Sequence, residues 1–228
     1  MKTKYSFIMV LGMFISTLAM AQEEETRSLD AFTEVSVGES IKVTLVKGSK
    51  NEAKISTTNT ETENVLTEVF GDNLKIHMES GNYRNNEVTV VVTYSGEIEE
   101  VKVSSSARLN TKGVVKSEEL AIKVSSSGRL EMELDVDRLK VDVSSSGRAS
   151  LSGNANTQVI EVSSSGRYEG FGLESKGVKA DVSSSGRIEV SVSEELMAKA
   201  SSSGRVVYKG APEKVDADTS SSGSVKKD

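Results

Sequence analysis

The chain has 228 residues, with 28 Lys and Arg against 34 Asp and Glu and a formal charge of −6 at pH 7. That balance argues against nucleic acid as a partner, because a phosphate backbone selects basic surfaces. With no cysteine, one histidine and one proline, disulfides and thiolate metal sites are excluded; no cofactor motif stands out, and packing and hydrogen-bond ladders must hold the fold.

Residues 1–21 read as a secretory signal peptide: Lys2 and Lys4, an apolar run from Phe7 to Leu18, then Ala19-Met20-Ala21 ahead of Gln22-Glu23-Glu24-Glu25. A membrane anchor is the competing reading, but the run falls short of the ~20 residues that span hydrocarbon. No later stretch is apolar enough to cross a bilayer, and no cysteine follows the run to carry a lipid. The expected destination is outside the inner membrane: periplasm, cell surface or medium. Removing Lys2 and Lys4 with the leader takes the 28 basic side chains to 26, against 34 acidic ones. Residues 22–28 read as a flexible linker before a single domain over 29–228.

Within 29–100, three stretches alternate apolar and polar residues with the period of a strand: Ile41-Lys42-Val43-Thr44-Leu45, Leu74-Lys75-Ile76-His77-Met78 and Val88-Thr89-Val90-Val91-Val92. They are expected to be degenerate rungs that begin and cap a rod, and residues 62–67 admit a short helix.

From residue 101 onward one phrase recurs seven times: an alternating strand, three serines, a glycine and usually an arginine. The triplets begin at Ser104, Ser125, Ser144, Ser163, Ser183, Ser201 and Ser220, at intervals of 21, 19, 19, 20, 18 and 19 residues. Before each triplet stands an inward pair such as Val101 and Val103, Val141 and Val143, or Ile160 and Val162, with a charged residue between them facing water. A glycine after the triplet suggests a bend at positive φ. One such unit buries too few side chains to fold alone, whereas stacked units share a continuous interior and pair strand to strand. The period therefore predicts an all-β, single-stranded, right-handed parallel β-helix with about 19 residues per rung.

The leader, the opening Phe32-Thr33-Glu34-Val35-Ser36-Val37, the strand entry Gly71-Asp72-Asn73-Leu74-Lys75-Ile76 and the repeated Ser-Ser-Ser-Gly corner resemble a family of exported bacterial domains, the putative auto-transporter adhesin, head GIN domain family. The resemblance covers about residues 29–228. It implies a pectin-lyase-like β-helix and a role in adhesion or envelope structure, with no catalytic residues to carry over.

Three columns are candidate sites. Alternation puts the middle serines, including Ser126, Ser145, Ser164, Ser184 and Ser202, inward as a structural hydroxyl ladder. Serine nucleophiles are the rival reading, but the one histidine, His77, lies outside the repeats. Arg129, Arg148, Arg167, Arg187 and Arg205, with Arg108 before them, form an exposed stripe. That stripe is either neutralised by Glu131, Glu169 and Glu189 two residues on, or is a rail for anionic glycan, since guanidinium forks suit carboxylates and sulfates. Asp142, Glu161 and Asp181 occupy equivalent positions on three rungs, which fits a solvated face first and Ca²⁺ or a glycosidase-type acid pair second.

The sequence thus points to a non-enzymatic exported module whose partner is a surface glycan or protein, with a polysaccharide lyase and a self-assembling scaffold as alternatives. Inward positions shrink to Ala198, Ala200, Ala217 and Thr219 near the end, so end-to-end self-association at the C-terminal rung is a further expectation.

Overall fold

The computed structural model describes residues 22–228, so the leader expected over 1–21 lies outside the described residues. The repeats become five long strands, β9 (Arg108–Val124), β10 (Arg129–Val143), β11 (Arg148–Val162), β12 (Arg167–Val182) and β13 (Arg187–Ala200). Each pairs in parallel with the next, so that Val124, Val143, Val162, Val182 and Ala200 stack in one column. This is a parallel β-solenoid of coils about 19 residues long.

Two corners shape each coil. In β10 the buried and exposed residues alternate until Asp137 and Arg138, which are exposed in succession. The phase slip marks where the strand turns from one wall to the next; the ladder runs through it, with Asp135 opposite Asn154 and Arg138 opposite Thr157. Extra residues enter as bulges, at Ser150/Ser152 and at Gly170/Glu174, for example. The interior is apolar and continuous: Leu130, Leu134, Leu139, Val141 and Val143 of β10 are all buried.

The other corner is the serine turn, and there two expectations are corrected. The second and third serines carry the positive φ, at 46–51° and 63–66°, while the glycine after them does not. Gly128 N donates to Ser125 O at 2.8 Å, closing a turn of type I′ pattern. The middle serines Ser126, Ser145, Ser164, Ser184 and Ser202 are therefore exposed at the turn tip rather than inward. Strand alternation ends where the turn begins, so it does not predict their direction. Among the described residues no hydroxyl of the triplets makes a hydrogen bond; the ladder here is main chain, with Ser127 N donating to Ser145 O and Ser146 N to Ser164 O, both at 3.1 Å. The glycine serves close approach. A Cβ on Gly147 would stand 2.6 Å from Val124 O of the coil before.

The N-terminal part is interleaved rather than a series of successive rungs. β2 (Glu34–Val37) lies between β6 (Asn73–Met78) and β8 (Glu100–Val103), and β3 (Lys42–Lys47) lies between β7 (Glu87–Tyr94) and β9, all in parallel. Beyond them the direction reverses. β4 (Glu52–Thr58) runs antiparallel to β7, and β5 (Val65–Phe70) antiparallel to β6, after a single 3-10 turn at Thr62–Asn64 where a short helix was expected.

Residues 22–28, expected as a linker, form β1 (Gln22–Ser28), paired antiparallel with β4 over its whole length. The acidic composition misleads because partners are supplied: Lys54 Nζ reaches Glu24 at 2.9 Å. Arg27 bridges to the other wall, donating to Thr62 O at 3.0 Å and to Val65 O, while Glu25 holds its guanidinium. That bridge ties the two walls at the N-terminal end.

The last coil is exposed. β14 (Arg205–Lys209) and β16 (Ser224–Lys227) continue one wall, and β15 (Lys214–Thr219) continues the other with every residue exposed. Val215 is 45% exposed, in the column where Leu196 is fully buried.

Candidate functional site

The register brings the predicted arginines together. Arg108, Arg129, Arg148, Arg167, Arg187 and Arg205 are direct partners on adjacent strands, all exposed, with Lys42 before them and Ser224 after. Neighbouring guanidiniums are thus attached one strand spacing apart, ~4.8 Å. They follow the serine turn because its last hydrogen bond releases the chain straight into the second wall.

The column beside them reads Asn110, Glu131, Ser150, Glu169, Glu189 and Val207. Arg148 pairs with Glu169 at 3.2 Å and Arg187 with Glu189 at 2.7 Å, and Ser150 Oγ donates to Glu169 at 2.7 Å. Arg108, Arg129, Arg167 and Arg205 make no side-chain hydrogen bond or ion pair with any described residue. Six guanidiniums therefore face three carboxylates, and the stripe keeps a positive excess on an acidic molecule. Third serines stand beside it: Ser185 and Ser203 line a cleft with Arg167, Arg187 and Arg205.

The acidic column is present as a column, with Asp142, Glu161 and Asp181 in register between Lys123 and Lys199. Lysines at both ends make it a mixed face. Among the described residues no group of three or more acids, histidines or cysteines could hold a metal ion. His77 does reach a cleft shared with Ser104 and Ser105, but Nδ1 faces Met78 O at 3.1 Å and Nε2 faces Glu68 Oε2 at 3.2 Å. Both ring nitrogens are engaged by oxygens other than a serine hydroxyl.

A second feature escaped the repeat pattern. At the phase-slip corner, Val136, Ala155, Ser175 and Val192 are register partners that floor a groove of about 690 Å³. Beneath it, Tyr168 Oη donates to Gln158 Oε1, and Gln158 Nε2 donates to Ser175 Oγ, each at 2.5 Å. Gln158 is 1% exposed in a column otherwise made of Leu120, Leu139, Val178 and Leu196. A lone polar residue in an apolar column is the signal that could have revealed this site. Burial pushes the Tyr168 phenol far above its ordinary pKa, so it stays a neutral donor.

No helix among the described residues is long and apolar enough to cross a membrane. No curated protein matches the chain. Solved structures share its fold. A protein described as a putative adhesin from Bacteroides fragilis superposes with a TM-score of 0.80 at 16% identity, covering 92% of this chain and 98% of that one. Another putative adhesin, from Parabacteroides merdae, gives 0.73 at 18% identity, with 91% and 96% covered. A protein described as a putative lipid binding protein from Parabacteroides distasonis gives 0.73 at 21% identity, with 91% and 96% covered. At these identities the likeness is one of fold. The sequence itself carries the closer assignment: residues 31–212 match the family model described as putative auto-transporter adhesin, head GIN domain, and the chain belongs to that family.

Proposed function

We propose that this chain is an exported, non-enzymatic module of the cell envelope or surface that serves adhesion by holding an anionic glycan along its arginine column. The observation that carries the reading is the in-register stripe Arg108 to Arg205, in which four of six guanidiniums have no acidic partner. Two like charges one strand apart repel by only ~0.9 kcal/mol in water, so the stripe is tolerable empty and favourable when occupied by a polyanion. Guanidinium forks grip carboxylates and sulfates in pairs of hydrogen bonds, and the exposed serines alongside add neutral donors. The adhesin description of the family and of two of the structural neighbours is in keeping with this role.

The test is binding of the mature protein to polyuronate and sulfated polysaccharide at rising salt, beside a variant with Arg129, Arg148, Arg167 and Arg187 replaced by glutamine. Salt-sensitive binding lost in the variant supports the reading. Binding that survives the four substitutions, or new unsaturated ends on the polyuronate, would overturn it.

A further inference from the structure

The groove at the phase-slip corner has the makings of a second site, independent of the arginines. Its floor is apolar apart from Ser175, which is 6% exposed. The hydrogen-bond chain from Tyr168 through Gln158 ends on Ser175 Oγ as acceptor, so the serine still has its own proton to give. Among the described residues nothing accepts that proton. A buried hydroxyl proton is costly to leave unsatisfied. Ser175 is also one of the residues that line the groove.

Part of the rim is engaged, with Asp135 paired to Lys116, Asn156 donating to Asp137 and Ser193 to Ser175 O, and part is not. Asn154 and Glu174 stand on one bank and Lys176 on the other, all exposed, and none of their side chains makes a hydrogen bond or ion pair with a described residue. These three offer an amide, a carboxylate and an ammonium, both donors and acceptors with almost no net charge. An extended peptide is a poor fit, because Asn154, Ala155, Glu174 and Ser175 already pair with strands in the ladder and leave no free edge for β-addition. From the strand of Val136 to that of Val192 the floor runs across four strands, ~14 Å.

The geometry points to this groove as a binding site for a neutral oligosaccharide of about three rings laid along the rod axis, with the Ser175 hydroxyl donating to one sugar oxygen. A pyranose presents C–H faces to an apolar floor and hydroxyls to a rim of mixed donors and acceptors. Its ring and linkage together are about as long as one strand spacing of ~4.8 Å, so successive sugars meet successive coils.

The experiment is calorimetric titration of the mature protein with neutral tri- and tetrasaccharides of glucose, mannose, galactose, xylose and N-acetylglucosamine. The expected result is binding by at least one series that is unchanged by salt and by the glutamine substitutions in the arginine column. A triple variant, Asn154→Ala, Glu174→Ala and Lys176→Ala, changes only exposed, unpartnered side chains and should weaken that binding at least tenfold with its melting temperature retained. Ser175→Ala should weaken it further; if that variant fails to fold, the triple variant decides. Failure of every series to bind, equal binding by the triple variant, or preference for extended peptides would overturn the proposal while leaving the arginine column untouched.

Discussion

The corner glycine gives the most direct check on how the coils stack, and Gly147→Ala is the perturbation. The added methyl would lie 2.6 Å from Val124 O and 3.0 Å from Ser144 O, both main-chain atoms. Val124 O cannot retreat freely, since it accepts the Ser144 N–H at 2.9 Å. Overpacking of this kind costs about 1–3 kcal/mol, a weakened ladder bond adds about 1, and the stiffer unfolded chain returns about 0.5. The net destabilisation is about 1.5–3.5 kcal/mol. At ~2–4 °C per kcal/mol for a domain of this size, the melting temperature should fall by roughly 3–14 °C. Circular dichroism in the strand band would read it. The first repeat supplies a control, because Ala107 occupies the same position with its methyl fully buried. There the neighbouring coil is the turn at Gly38 to Ile41 rather than another serine corner, with Ser40 N on Ser105 O and Arg108 N on Ile41 O, each at 2.9 Å. Ala107→Gly should cost only ~1 kcal/mol. A Gly147→Ala protein that melts at or above the parent would refute the close-approach account.

Four further outcomes are expected. Replacing Ser145 and Ser146 by Asn and Gly suits a turn with two left-handed residues, at φ 48° and 63°, and should stabilise the fold by ~1 kcal/mol in urea titrations; a loss would show that the serines are held by more than turn geometry. Tyr168→Phe leaves the buried Gln158 carbonyl without its donor and should cost about 1–3 kcal/mol, while adding Gln158→Leu should recover part of it; no recovery would rule out an unsatisfied-group effect. Burial alone would raise the Glu100 pKa, but hydrogen bonds from Lys102 and Lys123 outweigh it and hold the carboxyl below its ordinary value. Its stabilising effect is therefore complete above the unfolded-chain pKa and disappears as pH falls through the lower folded value, so Glu100→Gln should remove part of the acid-side loss seen in urea midpoints; an unchanged slope would refute the assignment. Amide exchange should be faster in β15 than in β11 unless a second copy covers the exposed end, so a protected β15 in a protein that sediments as a monomer would contradict the exposure described here.

The stacking was legible because the period is carried by residue types that recur at matched positions, so Val143 over Val124 and Arg148 over Arg129 follow from counting. What failed was local. Alternation extended one residue too far turned Ser145 inward, although a turn residue obeys its own dihedrals rather than the pleat. Gly147 was read for conformational freedom when its lack of a side chain is what the neighbouring carbonyl requires. The run Glu23-Glu24-Glu25 has the composition of a linker, and its strand exists because β4 with Lys54 lies opposite and Arg27 of the same strand holds Glu25, which no local pattern reveals. Of the two candidate sites, the arginine stripe is a repeat feature and was visible. The groove arises where the repeat is broken by bulges, and Gln158, the one signal that could have betrayed it, went unread.

The N-terminal closure by Arg27 and the exposed C-terminal coil give the rod a direction. Between them each coil pairs with its equivalents above and below, so duplicating one period, residues 125–143 for instance, would join like to like and leave the Tyr168–Gln158–Ser175 chain intact. Gene slippage over the serine codons could lengthen or shorten such a molecule in whole steps, each adding one arginine to the stripe and leaving the plugged end unaltered. Length, and with it the number of arginines in the stripe, becomes a property that can change in whole coils while the pairing between coils keeps its pattern.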